Sequence, residues 1–539
     1  MTQMKKIFIS VLTVFLVLTI GGGSMAFGIN QATGEECVYY SEYGAAGDGA
    51  ADDFDAIIAA HADANDKGLP VCADPGAVYY IGTGRKTAEI QTNTYWGDAQ
   101  FVIDDSNVSA DDRGYNIFNV SSALHGQQIT SVGSIAKNQE KLDLSLQYPS
   151  LIVVADNTTI RYIRYGANQN DGAPQTEAFI VDEDGNVDMN APVIWDYDNI
   201  TSMTAYPIDT DILTVSGGRF KTIANRAASE YNYYNRGLRI ARSNVEVDGL
   251  YHEITGELDH GAPYNGFLTL SRCADVTVRN TMLSGHKFYR TIGSAGTSVS
   301  MGTYDISASM AVNASFIGCK QINDINDPAL WGIMGSNYCK NLIYDGCELS
   351  RFDAHMGVAN AAIKNSVIGR HGISIIGFGT ALVENTKVYS SNFISLRDDY
   401  GSTWEGEIII RNCEFIPAGA ALSGPVLING NGNEKHNFGY TCYMPQKITV
   451  DGLVIDDAGY SLFYGGPKLL GNFIGNTVTS FLSDMFYRLM GLLNTNIARY
   501  PYVLTEEIEI SDLTVKSGKP YAVSANRWLF RNVKVTESN

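Results

Sequence analysis

From residue 240 onward the apolar positions follow one recurring pattern. Two alternating apolar residues lead to an Asn, Gly or Asp, and two more alternating apolar or small residues follow it. The pattern reads NVEVDGLYH at Asn244, DVTVRNTML at Asp275, NASFIGCKQI at Asn313, NLIYDGCEL at Asn341 and NAAIKNSVI at Asn360. It continues in TALVENTKV, EIIIRNCEF, KITVDGLVI, IEISDLTV and LFRNVKV. Period-two alternation predicts strands with one buried face. The central residues are Gly249, Asn280, Gly318, Gly346, Asn365, Asn385, Asn412, Gly452, Asp512 and Asn532. These types tolerate the left-handed backbone best, so each unit reads as strand, sharp bend, strand. Gly346 to Asn365 is 19 residues and Asn365 to Asn385 is 20. A strand–bend–strand unit cannot bury its face alone, and stacked units close a continuous core. The pattern predicts an all-β protein built as a right-handed parallel β-helix. A β-sandwich is the rival architecture, but it does not repeat this register.

The residues after the bends should point inward: Leu250, Thr281, Cys319, Cys347, Ser366, Thr386, Cys413 and Leu453. Three of the eight cysteines fall in this ladder, as small buried fillers. Cys37 and Cys72 are the disulfide candidates.

The pattern divides the chain into residues 1–26 as a leader, 27–124 as an N-terminal cap with the first coils, 125–215 as an inserted β-rich lobe, and 216–539 as the main helix. A helical insertion is expected near 471–500, around FLSDMFYRLMGLL. Lys5 and Lys6, the apolar run Ile7–Ile20 and the small residues Ser24 and Ala26 match a secretory signal cleaved after Ala26. The run is short for a membrane span of about 20 residues. The expectation is a secreted protein with no stable membrane anchor.

Composition sharpens this picture. The 54 Gly, 14 Pro and 31 Tyr suit a turn-rich β protein, and the net charge of −20 excludes a nucleic-acid binder.

EYGAAGDGAADDFDAIIAAH at Glu42 predicts a strand, a Gly-rich turn and a helix with Phe54, Ile57, Ile58 and His61 on one stripe. Asp48, Asp52 and Asp53 read as turn and cap residues, not as a catalytic cluster. The stretch closely resembles the opening of the pectate-lyase superfamily, including its polygalacturonase-like and phage-tailspike-like branches. The resemblance implies a helix that plugs the open end of a β-helix.

Polar residues gather on several coils. They are His260, His286, Lys287, Asp324, then Arg351, Asp353 and His355 in SRFDAHMG, Arg370 and His371 in GRHGISIIGFG, and Arg397, Asp398, Asp399 and Trp404 in RDDYGSTW. His286, Asp324 and His371 lie six residues past their bends, and Asp353 lies seven past. Equal offsets on successive coils predict a stripe with a spacing of about 4.8 Å, suited to an extended polymer. Five of the eight histidines fall between residues 252 and 371, so the stripe suggests an electropositive patch and an anionic ligand. GRHGISIIGFG resembles the GHGISIG segment of polygalacturonases, which implies a functional His371. Asp398–Asp399 follows that segment, whereas the family's aspartate pair precedes it.

Three chemistries suit such a groove. Glycoside hydrolysis needs two carboxylates, one of them protonated, from Asp353, Asp398, Asp399 or Asp324. It requires no cofactor. Polysaccharide β-elimination needs a base and neutralisation of the sugar carboxylate, from Arg351, Arg397 or a histidine, with Ca²⁺ held by aspartates. Phosphodiester cleavage suits His355 and His371. Arg351, Arg370, Arg397, His286, Lys287, His260 and Trp404 are the candidate substrate contacts. The expectation is a secreted glycoside hydrolase acting on an acidic glycan, ahead of a lyase. A non-catalytic glycan-binding protein or adhesin is the rival class. The expected partner is an extended polysaccharide, met by a monomer or a homotrimer.

Overall fold

A computed structural model describes residues 28–29, 36–164, 171–293, 296–332, 334–418, 424–431, 438–460, 463–473, 502–527 and 529–538. The expected leader and the helical insertion past residue 473 lie outside the described residues. No helix among the described residues is long and apolar enough to cross a membrane.

The chain winds as a right-handed parallel β-helix, and twenty-eight strands join in one continuous sheet system. The alternation predicted from sequence sets its register. Val215, Val247, Val278, Phe316, Tyr344, Ile363, Val383, Ile410, Val450 and Ile510 stand level on successive coils. All are buried. Each large aliphatic or aromatic side chain in such a column stabilises the fold by about 1.5–3 kcal/mol.

The bends take the left-handed conformation at Gly249, Asn280, Gly318, Gly346, Asn365, Asn385, Asn412, Gly452 and Asp512, with φ between 48° and 78°. Their amides also stack: Asn385 Nδ2 donates to Asn365 Oδ1 at 3.1 Å, and Asn365 Nδ2 to Asp345 Oδ1 at 2.8 Å. A second left-handed ladder opens the units at Asn244, Asp275, Asn313, Asn341 and Asn360, φ 54–58°.

Asn532 is a correction. The strand Lys534–Ser538 places Val535 level with Ile508, before the bend and not after it. The preceding residues form a turn, in which Val533 N–H donates to Phe530 O while Phe530 is buried in the core.

The inward residues after the bends are more than fillers. Cys347 Sγ donates to Phe316 O on the preceding coil at 3.2 Å, and Cys413 Sγ to Val383 O at 3.4 Å. Thr386 Oγ1 reaches Ile363 O at 3.4 Å in the same way. Each also reaches back across its own bend, as Thr386 Oγ1 does to Glu384 O at 2.7 Å. A small donor at this place satisfies carbonyls turned by the left-handed residue. That is why the ladder holds Cys, Ser and Thr.

At the N-terminal end the helix Phe54–Lys67 buries Phe54, Ile57, Ala60, His61 and Ala64. Asp53 Oδ1 and Oδ2 accept from the N–H groups of Ala46 and Gly47, and Asp48 Oδ1 accepts from Ala50 and Ala51. These aspartates organise the turn and helix start. Cys37 and Cys72 form a disulfide across the first two coils.

The strand Thr94–Asp104 pairs directly with Leu213–Ile223, so the intervening lobe is looped out between neighbouring coils. The lobe carries an antiparallel sheet of Gln127–Gln128, Ser150–Arg161, Ala173–Val181 and Ser202–Pro207. Leu151, Ala178 and Ile208 pack it onto Ala274 and Val312. A buried ion pair reinforces this contact, with Lys340 Nζ 2.7 Å from Glu177 Oε2.

Candidate functional site

Alternation along Glu348–Lys364 turns Phe352 and Ala354 into the core. It therefore places Arg351, Asp353 and His355 together on the opposite face. Asp353 stands level with Ser374, which stands level with Ser395 on the next coil. Two residues beyond Ser395, Arg397 reaches back across the coils. Its Nη1 contacts Asp353 Oδ1 and Oδ2 at 2.9 and 3.0 Å. Its Nε and Nη2 grip Asp399 at 3.1 and 2.8 Å. Arg351 Nη2 is 2.7 Å from Asp353 Oδ2, and Arg164 Nη1 is 3.0 Å from Asp399 Oδ2.

The result is an alternating network of three arginines and two aspartates with a net charge of +1. Asp353 is fully covered, whereas the side chains of Arg397, Asp399 and Arg164 remain 17%, 23% and 24% exposed. Burial opposes the Asp353 charge, but Arg351 and Arg397 hold its pKa below the usual carboxylate range. The Asp399 carboxyl is likewise held well down, against burial, chiefly by the Arg397 charge and hydrogen bonds. Both aspartates are therefore ionised.

His355 Nδ1 lies 2.8 Å from Asn337 Oδ1. Its ring meets Tyr400 edge-on at 5.4 Å. Burial first, then Arg397, pushes the imidazole down to about 4. Aromatic groups frame the network. Arg351 lies over Trp331 at 5.3 Å and Arg164 over Tyr400 at 5.1 Å. Tyr304 packs where Gly302 and Gly335 leave room; a Cβ on Gly302 would fall 2.1 Å from its hydroxyl. Arg351 Nε is a buried donor with no hydrogen-bond partner among the described residues.

Of the residues singled out from sequence, Arg351, Asp353, His355, Arg397 and Asp399 come together here. Asp398 accepts from Asn431 Nδ2 at 3.0 Å instead. His371 lies at the edge, its Nε2 2.5 Å from Leu330 O and its ring 6.4 Å from Trp331. Arg370 is exposed beside it. His260 is exposed on a separate loop. Lys287 Nζ donates to Glu257 O at 3.0 Å, and Asp324 Oδ1 accepts from Asn326 N–H in a turn.

Two placements are corrections. Trp404 is fully buried, level with Gly377 on the preceding coil; its Nε1 donates to Gly379 O at 2.9 Å. It cannot meet a substrate. His286 is also buried, with Nε2 3.1 Å from Asp305 Oδ1 and Nδ1 3.5 Å from Glu257 Oε1. His252 Nδ1 closes that cluster 2.8 Å from Asp305. The equal-offset stripe fails because the pairing shifts between Leu349 and Arg351, which sets Arg351 level with Gly372 and Asp353 with Ser374.

Sequence reasoning missed Arg164, Tyr304, Trp331, Asn337 and Tyr400. Tyr400 lies within RDDYGSTW, and no local pattern marks the other four. Arg164 lies 235 residues from its partner Asp399 and belongs to the looped-out lobe.

Asp353 and Asp399 do not fit a Ca²⁺ ion, because guanidinium groups take their oxygens. Among the described residues no group of three or more His, Cys, Asp or Glu side chains is arranged to hold a metal.

No family model matches the sequence. No curated protein matches it either. Among solved structures, the tailspike gp61 of Pseudomonas phage phi297 is similar over 93% of this chain and 83% of that one, at 14% identity and TM-score 0.53. The tailspike gp49 of Pseudomonas phage LKA1 is similar over 88% and 81%, at 12% identity and TM-score 0.47. Gp54 tailspike of Acinetobacter baumannii bacteriophage AP22, solved with a capsular saccharide, is similar over 95% and 82%, at 12% identity and TM-score 0.48. The fold is a parallel β-helix like that of the phi297 tailspike.

Proposed function

We propose that this protein acts outside the cell, after cleavage behind Ala26, to bind and cleave an extended acidic polysaccharide at the Arg351–Asp353–Arg397–Asp399–Arg164 network. One observation carries the reading: a chain of net charge −20 concentrates three arginines, a half-buried histidine and several aromatic rings on one outer face of its β-helix. Aromatic faces suit sugar rings, and partly exposed guanidinium groups suit sugar carboxylates. We propose that the protein serves as a monomer or a homotrimer.

The ionisation of Asp353 and Asp399 favours elimination over hydrolysis. Two-carboxylate hydrolysis needs one carboxyl held protonated, and the arginines work against that. Elimination needs cationic groups beside the sugar carboxylate and a base.

The test is incubation of the purified protein with polygalacturonate, alginate and hyaluronan. Binding is measured, together with new reducing ends and the ultraviolet absorbance of unsaturated uronate. Reducing ends with unsaturation are expected. Reducing ends without it would return the reaction to hydrolysis. Binding without cleavage would make the protein a glycan-binding module, and no binding to any anionic glycan would overturn the reading.

A further inference from the structure

Arg351, Asp353 and His355 share one strand face, but they are not chemically equivalent. Asp353 has every oxygen occupied by guanidinium groups. The arginines are cations. His355 alone combines an open lone pair with a fixed orientation. Its Nδ1 faces an amide oxygen, Asn337 Oδ1, at 2.8 Å. An amide oxygen only accepts, so Nδ1 carries the proton and Nε2 carries the lone pair. Among the described residues no hydrogen bond reaches Nε2. The edge-on ring of Tyr400 fixes the imidazole plane.

We infer that His355 is the catalytic base of this site, its Nε2 removing the C5 proton of a uronate residue whose carboxylate lies against Arg397 and Arg351. The inference rests on the acidic-glycan reading and assigns its chemistry. The C5–H bond breaks and its proton goes to Nε2. Its electron pair becomes the C4=C5 double bond. The C4–O glycosidic bond breaks, and the leaving oxygen keeps the C4–O bonding pair and takes a proton from water. The imidazolium then returns its proton to solvent. No oxidant or cofactor is consumed.

The surrounding charges suit this role. Arg397 and Arg351 lower the imidazole's proton affinity, while Asp353 and Asp399 raise it; Arg397 acts more strongly than either aspartate. Arg164 also lies over the Tyr400 ring, 5.1 Å from its centre. In the free protein burial, aided by Arg397, keeps His355 unprotonated and ready to accept a proton. A bound uronate carboxylate offsets the guanidinium charge, so His355 becomes more basic when substrate is in place. The same guanidiniums draw charge from the carboxylate and acidify C5.

The test uses the full-length protein and the His355→Asn variant, whose amide keeps a donor for Asn337 but removes Nε2. With the polyuronate that the wild type cleaves, kcat should fall by at least about 100-fold while binding changes by less than about threefold. The acid limb of the wild-type kcat profile should vanish from the residual rate. In the wild type, imidazole nitrogen NMR should show the Nδ1–H tautomer, with a His355 pKa that rises when polyuronate binds. This measurement stands if the variant fails to fold. An unchanged kcat, saturated products, or binding without cleavage would each overturn the role of His355 and leave the acidic-glycan ligand in place. Failure to bind any polyuronate would overturn the reading beneath it.

Discussion

Arg397 holds Asp353 through both carboxylate oxygens, with Nη1 2.9 and 3.0 Å from Oδ1 and Oδ2, although the two residues lie two coils apart. The pair ties the strand Glu348–Lys364 to the turn after Asn392–Leu396. Asp353→Asn should therefore damage the fold as well as the site. It leaves Arg351 and Arg397 without their shared counter-charge. Breaking a buried pair on one side costs about 3–5 kcal/mol, and denaturant unfolding should show a loss of that order. A loss under about 1 kcal/mol would mean that solvent already neutralises the arginines.

The His252–Asp305–His286–Glu257 cluster should govern the pH range of stability. Burial lowers the His286 pKa, but hydrogen bonds and charge from Asp305 and Glu257 outweigh it and raise the pKa from 6.5 to about 9. Folding thus favours the imidazolium. Its contribution is complete below 6.5 and is lost as pH rises through about 9. Asp305 runs the other way: despite burial, His252 and His286 depress it from 3.8, so its contribution is present above 3.8 and is lost as pH falls below that. Thermal unfolding of the wild type should weaken on the alkaline side, and His286→Gln should flatten that limb. Parallel alkaline slopes in both proteins would refute the assignment.

The inward ladder predicts a specific order of tolerance at Cys347. Cys347→Ser keeps the donor to Phe316 O and should cost less than about 1 kcal/mol; Cys347→Ala removes it and should cost about 1–3 kcal/mol. Cys347→Leu overfills the column and should cost about 1–3 kcal/mol or more. Chemical denaturation of the three variants checks the order. Equal losses for Ser and Ala would show that the thiol only fills space.

Attachment of the lobe should depend on Lys340 and Glu177. Lys340→Ala leaves the Glu177 carboxylate buried, and a cost of about 3–5 kcal/mol is expected. Limited proteolysis should then cut first within the lobe strands, residues 150–207, while the coils resist. Simultaneous Lys340→Met and Glu177→Leu should restore much of the resistance, because no charge is left unpaired.

The β-helix was legible because its information is local. A strand–bend–strand unit shows its inward face through period two and its bend through Asn, Gly or Asp, and stacking repeats the same constraint on every coil. The grouping of Arg351, Asp353 and His355 was legible for the same reason, since i, i+2 and i+4 share a strand face. The errors arose where a local rule met an irregular one. The register shift after Leu349 broke the equal-offset stripe, the final strand slipped at Asn532, and the hydrogen bond to Gly379 O holds Trp404 inside. The sequence by itself determined the solenoid, its left-handed bends and its buried Cys, Ser and Thr ladder, because each follows from backbone conformation and burial within one coil. Tertiary structure alone decided that Arg164 from the lobe and Arg397 from two coils on would close around Asp353 and Asp399, and that Asn337 would face His355 Nδ1. Those partners meet only when distant segments dock, and a long-range ion pair or hydrogen bond leaves no periodic trace along the chain.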